Sequence, residues 1–234
     1  MPGCTIVRNP RASVGGPKKG GVVNPNLVSF IDILPTFLDW AGHGDKKGKR
    51  LGWSMLPIME AETENPEWSQ VYGSHTFHEL TNYWPTRFVR TKRYKYHRNI
   101  AHQLDFPFSA DLYGSLSWEE MRNQEKVMIG KRTLESYVHR GPEELFDLEN
   151  DPEEINDLVA DPAHRDVLLE LRGQCEAWQR QTRDPWLIRD GVALIGVENH
   201  LKSGMRLPDR FDFDVKAPGN KDIAAYNGGL LAEP

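Results

Sequence analysis

Thr86-Arg-Phe-Val-Arg-Thr91 and Tyr94-Lys-Tyr-His-Arg98, with Lys92-Arg93 between them, form the stretch from which the fold is read. Both runs hold β-branched and aromatic residues and have the length of strands. The short link leaves room only for a tight turn, so an antiparallel hairpin is expected. Neither Asn-Gly nor Asp-Gly marks that turn, so the strands carry the reading. Side chains alternate between the two faces of a strand. Arg87, Arg90, Lys92, Arg93, Lys95 and Arg98 therefore need not build one cationic surface, and most are expected in solvent.

Outward from the hairpin, Gln70–Ser74 is a further strand candidate upstream. Downstream, Glu144–Leu148 is another, closed by the turn formers Asn150-Asp151-Pro152. Asp161-Pro162 opens a helix expected over Pro162–Thr182, because proline suits a first helical turn. Val167, Leu168, Leu171, Cys175 and Trp178 give that helix one apolar stripe, with Trp178 read as core. Between hairpin and helix, Ser117 followed by Glu120 is the capping-box pattern of a helix start. Near the N-terminus, Ile31, Leu34, Phe37, Leu38 and Ala41 recur at helical spacing. Pro35 is tolerable only in a first turn, so this helix is expected from about Asp32 to Gly42. Cys4–Arg8 is a short strand ended by Asn9-Pro10, and the acidic run Glu60–Glu67 is a domain boundary.

The 234 residues suffice for one large domain, or for a small domain and a piece of another. A net charge of −5 gives no concentrated basic surface, so no nucleic-acid partner is expected. There is no apolar run of about 18 residues, so no membrane span is expected. Met1–Gly21 has no apolar core of a signal peptide, so any export signal of a parent protein would lie upstream. Periplasmic, extracellular or lysosomal placement would follow only from such a signal. Cys4 and Cys175 allow at most one disulfide.

Four stretches in order resemble the sulfatase family. Val28–Gly42 looks like its VSxIDLxPTxLDxAG helix, and Gly52–Met59 is similar to its GxSLLPLL connection. Arg87–Tyr96 (RFVRTKRYKY) is similar to RxVRTxRYKY, and Glu144–Leu158 (ELFDLENDPEEINDL) to ELYDLxxDPxExxNL. Two further stretches resemble the sulfamidases, the N-sulfoglucosamine sulfohydrolase branch of that family. Tyr72–Arg87 is similar to FGSxxxHEVTxxYPxR, and Ala177–Trp186 to KWQxxTxDPW.

The resemblance implies an α/β, alkaline-phosphatase-like fragment. Residues 1–60 would be the last strand and helix of the large catalytic domain. Residues 69–187 would be the small C-terminal domain, an antiparallel sheet packed on one long helix, and 188–234 an irregular tail. It also implies a formylglycine nucleophile made in a Cys/Ser-x-Pro-x-Arg motif and a calcium ion held by Asp and Asn, both suited to stabilising charge on a sulfuryl group. Neither is found in this chain. Cys4-Thr-Ile-Val-Arg8 fails the motif at Ile6, where proline belongs, and reads as a strand entering the Asn9-Pro10 bend. No nucleophile and no metal ligand are therefore carried over. The partners implied are a missing N-terminal half and a sulfated sugar, and a homodimer is allowed for.

By resemblance, the loop with His78 and Glu79 faces a substrate pocket and contacts the sugar, and Arg87, which closes the same segment, is expected to bind substrate with them. A carboxylate can accept from sugar hydroxyls, and an imidazole can donate or accept near neutral pH. The alternative is that these groups cap local backbone. A zinc site of His75, His78 and Glu79 is disfavoured, because the flanking strand signals oppose the helix that would put both histidines on one face. Tyr83 and Trp84 either stack on a sugar or pin the loop. The function expected is thus the C-terminal portion of a sulfatase of glycosaminoglycan-type sugars, supplying a pocket wall and inactive alone. The alternative is a stand-alone carbohydrate-binding or interaction module.

Overall fold

The computed structural model describes residues 23–44, 50–77, 82–124 and 127–186. Cys4, His78, Glu79 and the tail from 188 lie outside the described residues. The chain divides into two compact units. The first is Met1–Tyr72 with Arg90–Lys95 and Asp147–Glu153, and the second is Gly73–Val89 with Tyr96–Phe146 and Glu154–Pro234. No helix among the described residues is long and apolar enough to cross a membrane.

In the first unit a single 3-10 turn, Phe30–Asp32, leads into α1, Ile33–Trp40. The Asp32 carboxylate accepts from the Ser29 N–H at 2.7 Å, which satisfies a donor that the helix start leaves open. Its other oxygen accepts from the Trp53 N–H at 2.9 Å, and the Thr36 hydroxyl accepts from the Met55 N–H at 2.9 Å. The stretches 28–42 and 52–59 are therefore fastened to each other by two α1-side acceptors. Gly52 is required at that junction, since a Cβ there would lie 2.1 Å from the Ile31 carbonyl oxygen. Met55, Ile58 and Trp68 form the buried cluster, with Val28, Ile33 and Ala61 packed on it. The outer face of α1 has no such cover. Phe30 is 86% exposed, and Ile31, Leu34, Phe37 and Trp40 are each about half exposed or more.

One sheet of four strands, ordered β1-β2-β3-β6, holds most of its length in the second unit. Its strands are β1 Gln70–Phe77, β2 Tyr83–Thr91, β3 Tyr94–Asn99 and β6 Glu143–Asp147. Lys92-Arg93 is indeed the whole link between β2 and β3. The Ile100 N–H donates to the Pro85 carbonyl and the Asn99 N–H to the Pro142 carbonyl, so β2 with β3 and β3 with β6 run antiparallel. Between β3 and β6 lie the short helices α2 (Ala110–Tyr113), α3 (Leu116–Arg122) and α4 (Leu134–Val138), and a small ladder. That ladder pairs β4, Met128–Ile129, with β5, Arg132–Thr133, across a turn where Gly130 has a φ of 62°. Such a φ favours glycine. The cap of α3 is Ser115, whose oxygen accepts from the Trp118 N–H at 3.1 Å, and not Ser117 as the capping-box spacing suggests.

Helix α5 spans Arg165–Gln181 after a 3-10 turn at Pro162–His164, capped by Asp161. Alternation divides the sheet between two layers. Val89, Tyr96 and Leu145 are fully buried on the face that also carries Arg87 and Arg98, and Leu168, Leu171 and Cys175 of α5 are buried as well. On the other face Thr86 donates to Asn99 at 2.8 Å, Asn99 donates to Glu144 at 2.8 Å, and Trp84 packs edge-on against Phe106. Trp178 is only half-buried, and the fully buried position is taken by Gln179. A polar side chain holds that position because it is hydrogen-bonded on both sides, as described below. The free edge of β6 is closed by the chain itself: Leu145 donates to Asp157 at 2.9 Å and accepts from Leu158 at 2.8 Å.

Candidate functional site

Within the second unit the two narrower stretches, 72–87 and 177–186, meet at one buried ion pair. Arg87 lies on β2 and is 3% exposed. Its Nε and Nη2 donate to the two carboxylate oxygens of Asp184 at 2.5 and 2.8 Å. Its Nη1 donates to the carbonyls of His75 and Thr86 at 2.9 and 2.8 Å. Every guanidinium nitrogen is thus committed, in the two-pronged geometry that arginine makes with carboxylates. Burial alone would raise the Asp184 pKa, but the Arg87 guanidinium and the Trp186 N–H outweigh it and hold the carboxyl below its usual range. Gln179 completes the chain of bonds. It accepts from Arg98 Nη1 at 2.8 Å and donates to Asp184 at 3.0 Å.

The backbone is shaped to deliver Asp184 there. Helix α5 ends at Gln181 with Thr182 as its cap, and Arg183 follows with a φ of 52°. A left-handed residue after a helix turns the chain back on its last turn, and for a residue other than glycine this carries strain. The Asp184 N–H then donates to the Gln179 carbonyl at 2.9 Å, and Trp186 N–H donates to the Asp184 carboxylate at 3.0 Å. The Trp186 ring lies 5.3 Å from the Arg87 guanidinium and donates through Nε1 to the Tyr83 hydroxyl at 3.0 Å.

The residues singled out from the sequence separate as follows. His78 and Glu79 are outside the described residues, while their flanks are fixed by Arg87, His75 and Tyr83. His75 Nδ1 lies 3.4 Å from the Trp84 carbonyl oxygen. Trp84 is fully buried and donates to the Leu104 carbonyl at 3.1 Å, so it pins the chain, whereas Tyr83, one residue earlier, is 38% exposed. The basic run divides as well. Arg87 and Arg98 are buried among polar partners, and Lys92 and Arg93 are exposed. Arg93 Nε and Nη2 donate to one Asp147 oxygen at 3.1 and 2.8 Å, in the first unit. Chiefly because of Arg93, the Asp147 pKa falls to about 2.

Sequence reasoning missed Asp184 and Gln179 as partners. Gln179 carried a signal, because it continues the spacing of Leu168, Leu171 and Cys175, and a polar residue on a buried stripe asks for a hydrogen-bond partner. Asp184 entered only as part of the Ala177–Trp186 resemblance, and nothing there marked Arg87 as its partner. Among the described residues no group of His, Cys, Asp or Glu is placed to hold a metal ion. The buried carboxylates of Asp32, Asp147 and Asp184 accept from backbone N–H groups, and the last two also from arginine. The described residues therefore do not fit the calcium site that the resemblance implies.

A sheet and one long helix, joined by buried Arg–Asp and Arg–Gln bonds, carry the four motif stretches from 72 onward, and in sequence this chain belongs to the sulfatase family. In particular, it is 35% identical over 190 residues to the N-sulphoglucosamine sulphohydrolase of Homo sapiens, an alignment that covers 75% of the chain and 37% of that enzyme. It is 28% identical over 176 residues to an ulvan-active sulfatase of Formosa agariphila, covering 71% of the chain and 31% of the relative. The chain thus spans about a third of the length of these relatives. No protein-family model matches it. Among solved structures, a 2-O GAG sulfatase superposes with a TM-score of 0.43 at 23% identity, over 66% of this chain and 25% of that one.

Proposed function

We propose that this chain is the C-terminal portion of a sulfatase acting on N- or O-sulfated, glycosaminoglycan-type sugars. The observation that carries the reading is the 35% identity to a sulphohydrolase of which the chain spans only 37%. The uncovered apolar face of α1 supports it, since a helix with Phe30, Leu34 and Phe37 in solvent lacks the surface it is built to pack against. In this reading the upstream half is the partner that covers α1 and brings formylglycine and calcium, which would supply the nucleophile and charge stabilisation. This chain brings the His78-Glu79 loop as a wall of the sugar pocket. Arg87 holds the base of that loop through Asp184 and the His75 carbonyl, and does not itself reach the sugar.

The test is reassembly. Purified alone, the chain should not hydrolyse a sulfated glucosamine substrate. Co-expressed with an upstream half bearing Cys/Ser-x-Pro-x-Arg, it should. In the reassembled enzyme His78→Ala or Glu79→Ala should lower kcat/KM by about 100-fold, in the range of a lost general acid–base or positioning group, with Tm unchanged. Loss of Tm with unchanged kcat/KM in the remaining folded enzyme would make both residues structural. Reassembly without hydrolysis would leave the carbohydrate-binding module as the function.

A further inference from the structure

The pair of Tyr83, which is 38% exposed, and Trp186, which is half-buried, differs from the aromatic cluster of the second unit. Phe106, Phe108, Tyr113, Trp118 and Tyr137 pack on one another, with ring centroids 5.1 to 5.7 Å apart. Tyr83 and Trp186 instead join through a solvent-exposed hydrogen bond, Trp186 Nε1 to Tyr83 hydroxyl. Their polar tips satisfy each other, so what the two rings leave in solvent is apolar surface. One Trp186 face lies toward the Arg87 guanidinium. Both backbones are fixed. Tyr83 stands next to fully buried Trp84, and Trp186 is tied through its N–H to the Asp184 carboxylate, itself held by Arg87 and Gln179.

We propose that Tyr83 and Trp186 form a preformed stacking surface for the C–H face of a pyranose ring of the glucosamine type. The identity of the sugar rests on the function proposed above. A pyranose has an apolar face of C–H bonds and a rim of hydroxyls, which suits a flat aromatic surface whose own polar groups are occupied. Rigid aromatic side chains lose little conformational freedom on binding, and their fixed backbones reduce that loss further. The surface recognises the ring and not its charge. Arg87 faces Trp186, yet each of its three nitrogens already donates within the protein and its charge is balanced by Asp184 at 2.5 Å.

The experiment is titration of the whole 234-residue chain with two probes, the methyl glycosides of N-acetylglucosamine and of N-sulfoglucosamine, followed by saturation-transfer and ring-proton NMR. The result expected is saturation transfer to both sugars, with affinities within about threefold of each other, and perturbed Tyr83 and Trp186 ring signals. Tyr83→Ala and Trp186→Ala should each weaken binding by about 3- to 10-fold, the range of a lost aromatic contact. Tyr83→Phe, which keeps the ring, should stay within about threefold. Should Trp186→Ala fail to fold, the two Tyr83 variants and the wild-type ring shifts decide alone. No transfer to either sugar, or wild-type affinity in Tyr83→Ala, overturns the proposal. Sugar binding at this pair in a reassembled protein without hydrolysis would sink the hydrolase reading and leave this inference standing. Hydrolysis with an unchanged KM in Tyr83→Ala would do the reverse.

Discussion

At the scale of single residues, Arg87 shows how far a side chain's type falls short of its role. The sequence marks it as a cation at the end of a pocket segment, and the fold makes it the hub of a buried network. Removing one member of a buried ion pair leaves the other charged and unpaired, which costs about 3–5 kcal/mol. Arg87→Ala should therefore lower the unfolding free energy in urea by that amount, and replacing Arg87 and Asp184 together by leucine should cost much less than the single change. Asp147 carries one part of the acid response, beside Asp161 and Asp184, whose carboxyls are also held below their usual range. Its pKa is about 2 in the folded chain, against about 3.9 unfolded. Its stabilisation is thus complete above pH 4 and is lost as pH falls from about 4 to 2. Asp147→Asn should flatten that part of the stability profile and leave the profile from pH 6 to 8 unchanged in shape, as followed by circular dichroism. What was legible at this scale was residue type and side of strand. What was not was partnership, because Asp184 stands 97 positions from Arg87 and nothing local points to it.

At the scale of elements, the sequence reads well where pattern and punctuation agree. The β2–β3 hairpin follows from two β-rich runs and a link too short for anything else. Helix α5 follows from Pro162 and a stripe of i, i+3 and i+7 spacing, and the structure differs mainly in exchanging Trp178 for Gln179 in the core. The α2–α4 region was poorly legible, because its helices are only four to seven residues long and lack a period to detect. Its cap shifted from Ser117 to Ser115, since either serine has a candidate first turn after it. Helix α1 carries a prediction of its own. Phe30, Leu34 and Phe37 are exposed, so replacing all three by glutamate should leave unfolding free energy within about 0.5 kcal/mol. The change should reduce self-association of the isolated chain in light scattering, and it should abolish capture of an upstream sulfatase half. Marked loss of stability would mean that the α1 face is covered within the chain.

At the scale of the whole molecule, motif stretches scattered along the sequence are gathered in pairs: 28–42 with 52–59 through Asp32 and Thr36, and 72–87 with 177–186 through Arg87 and Asp184. The resemblance was legible because each pair preserves both of its halves. The chemistry was not, because the chain spans 37% of the human relative and its own nucleophile-like stretch fails at Ile6. One buried group lets this architecture be timed. Cys175 is fully buried on α5, and burial pushes its thiol up to about 12. Only a thiolate is alkylated, so the residue should be silent to iodoacetamide at pH 8 until helix and sheet separate. Its peptide, followed by mass spectrometry, then acts as a stopwatch. A labelling rate that rises steeply with temperature and does not rise with alkylating agent beyond a plateau would report the opening rate of the helix–sheet seam itself. Prompt labelling in the native chain would show that the seam breathes open without unfolding.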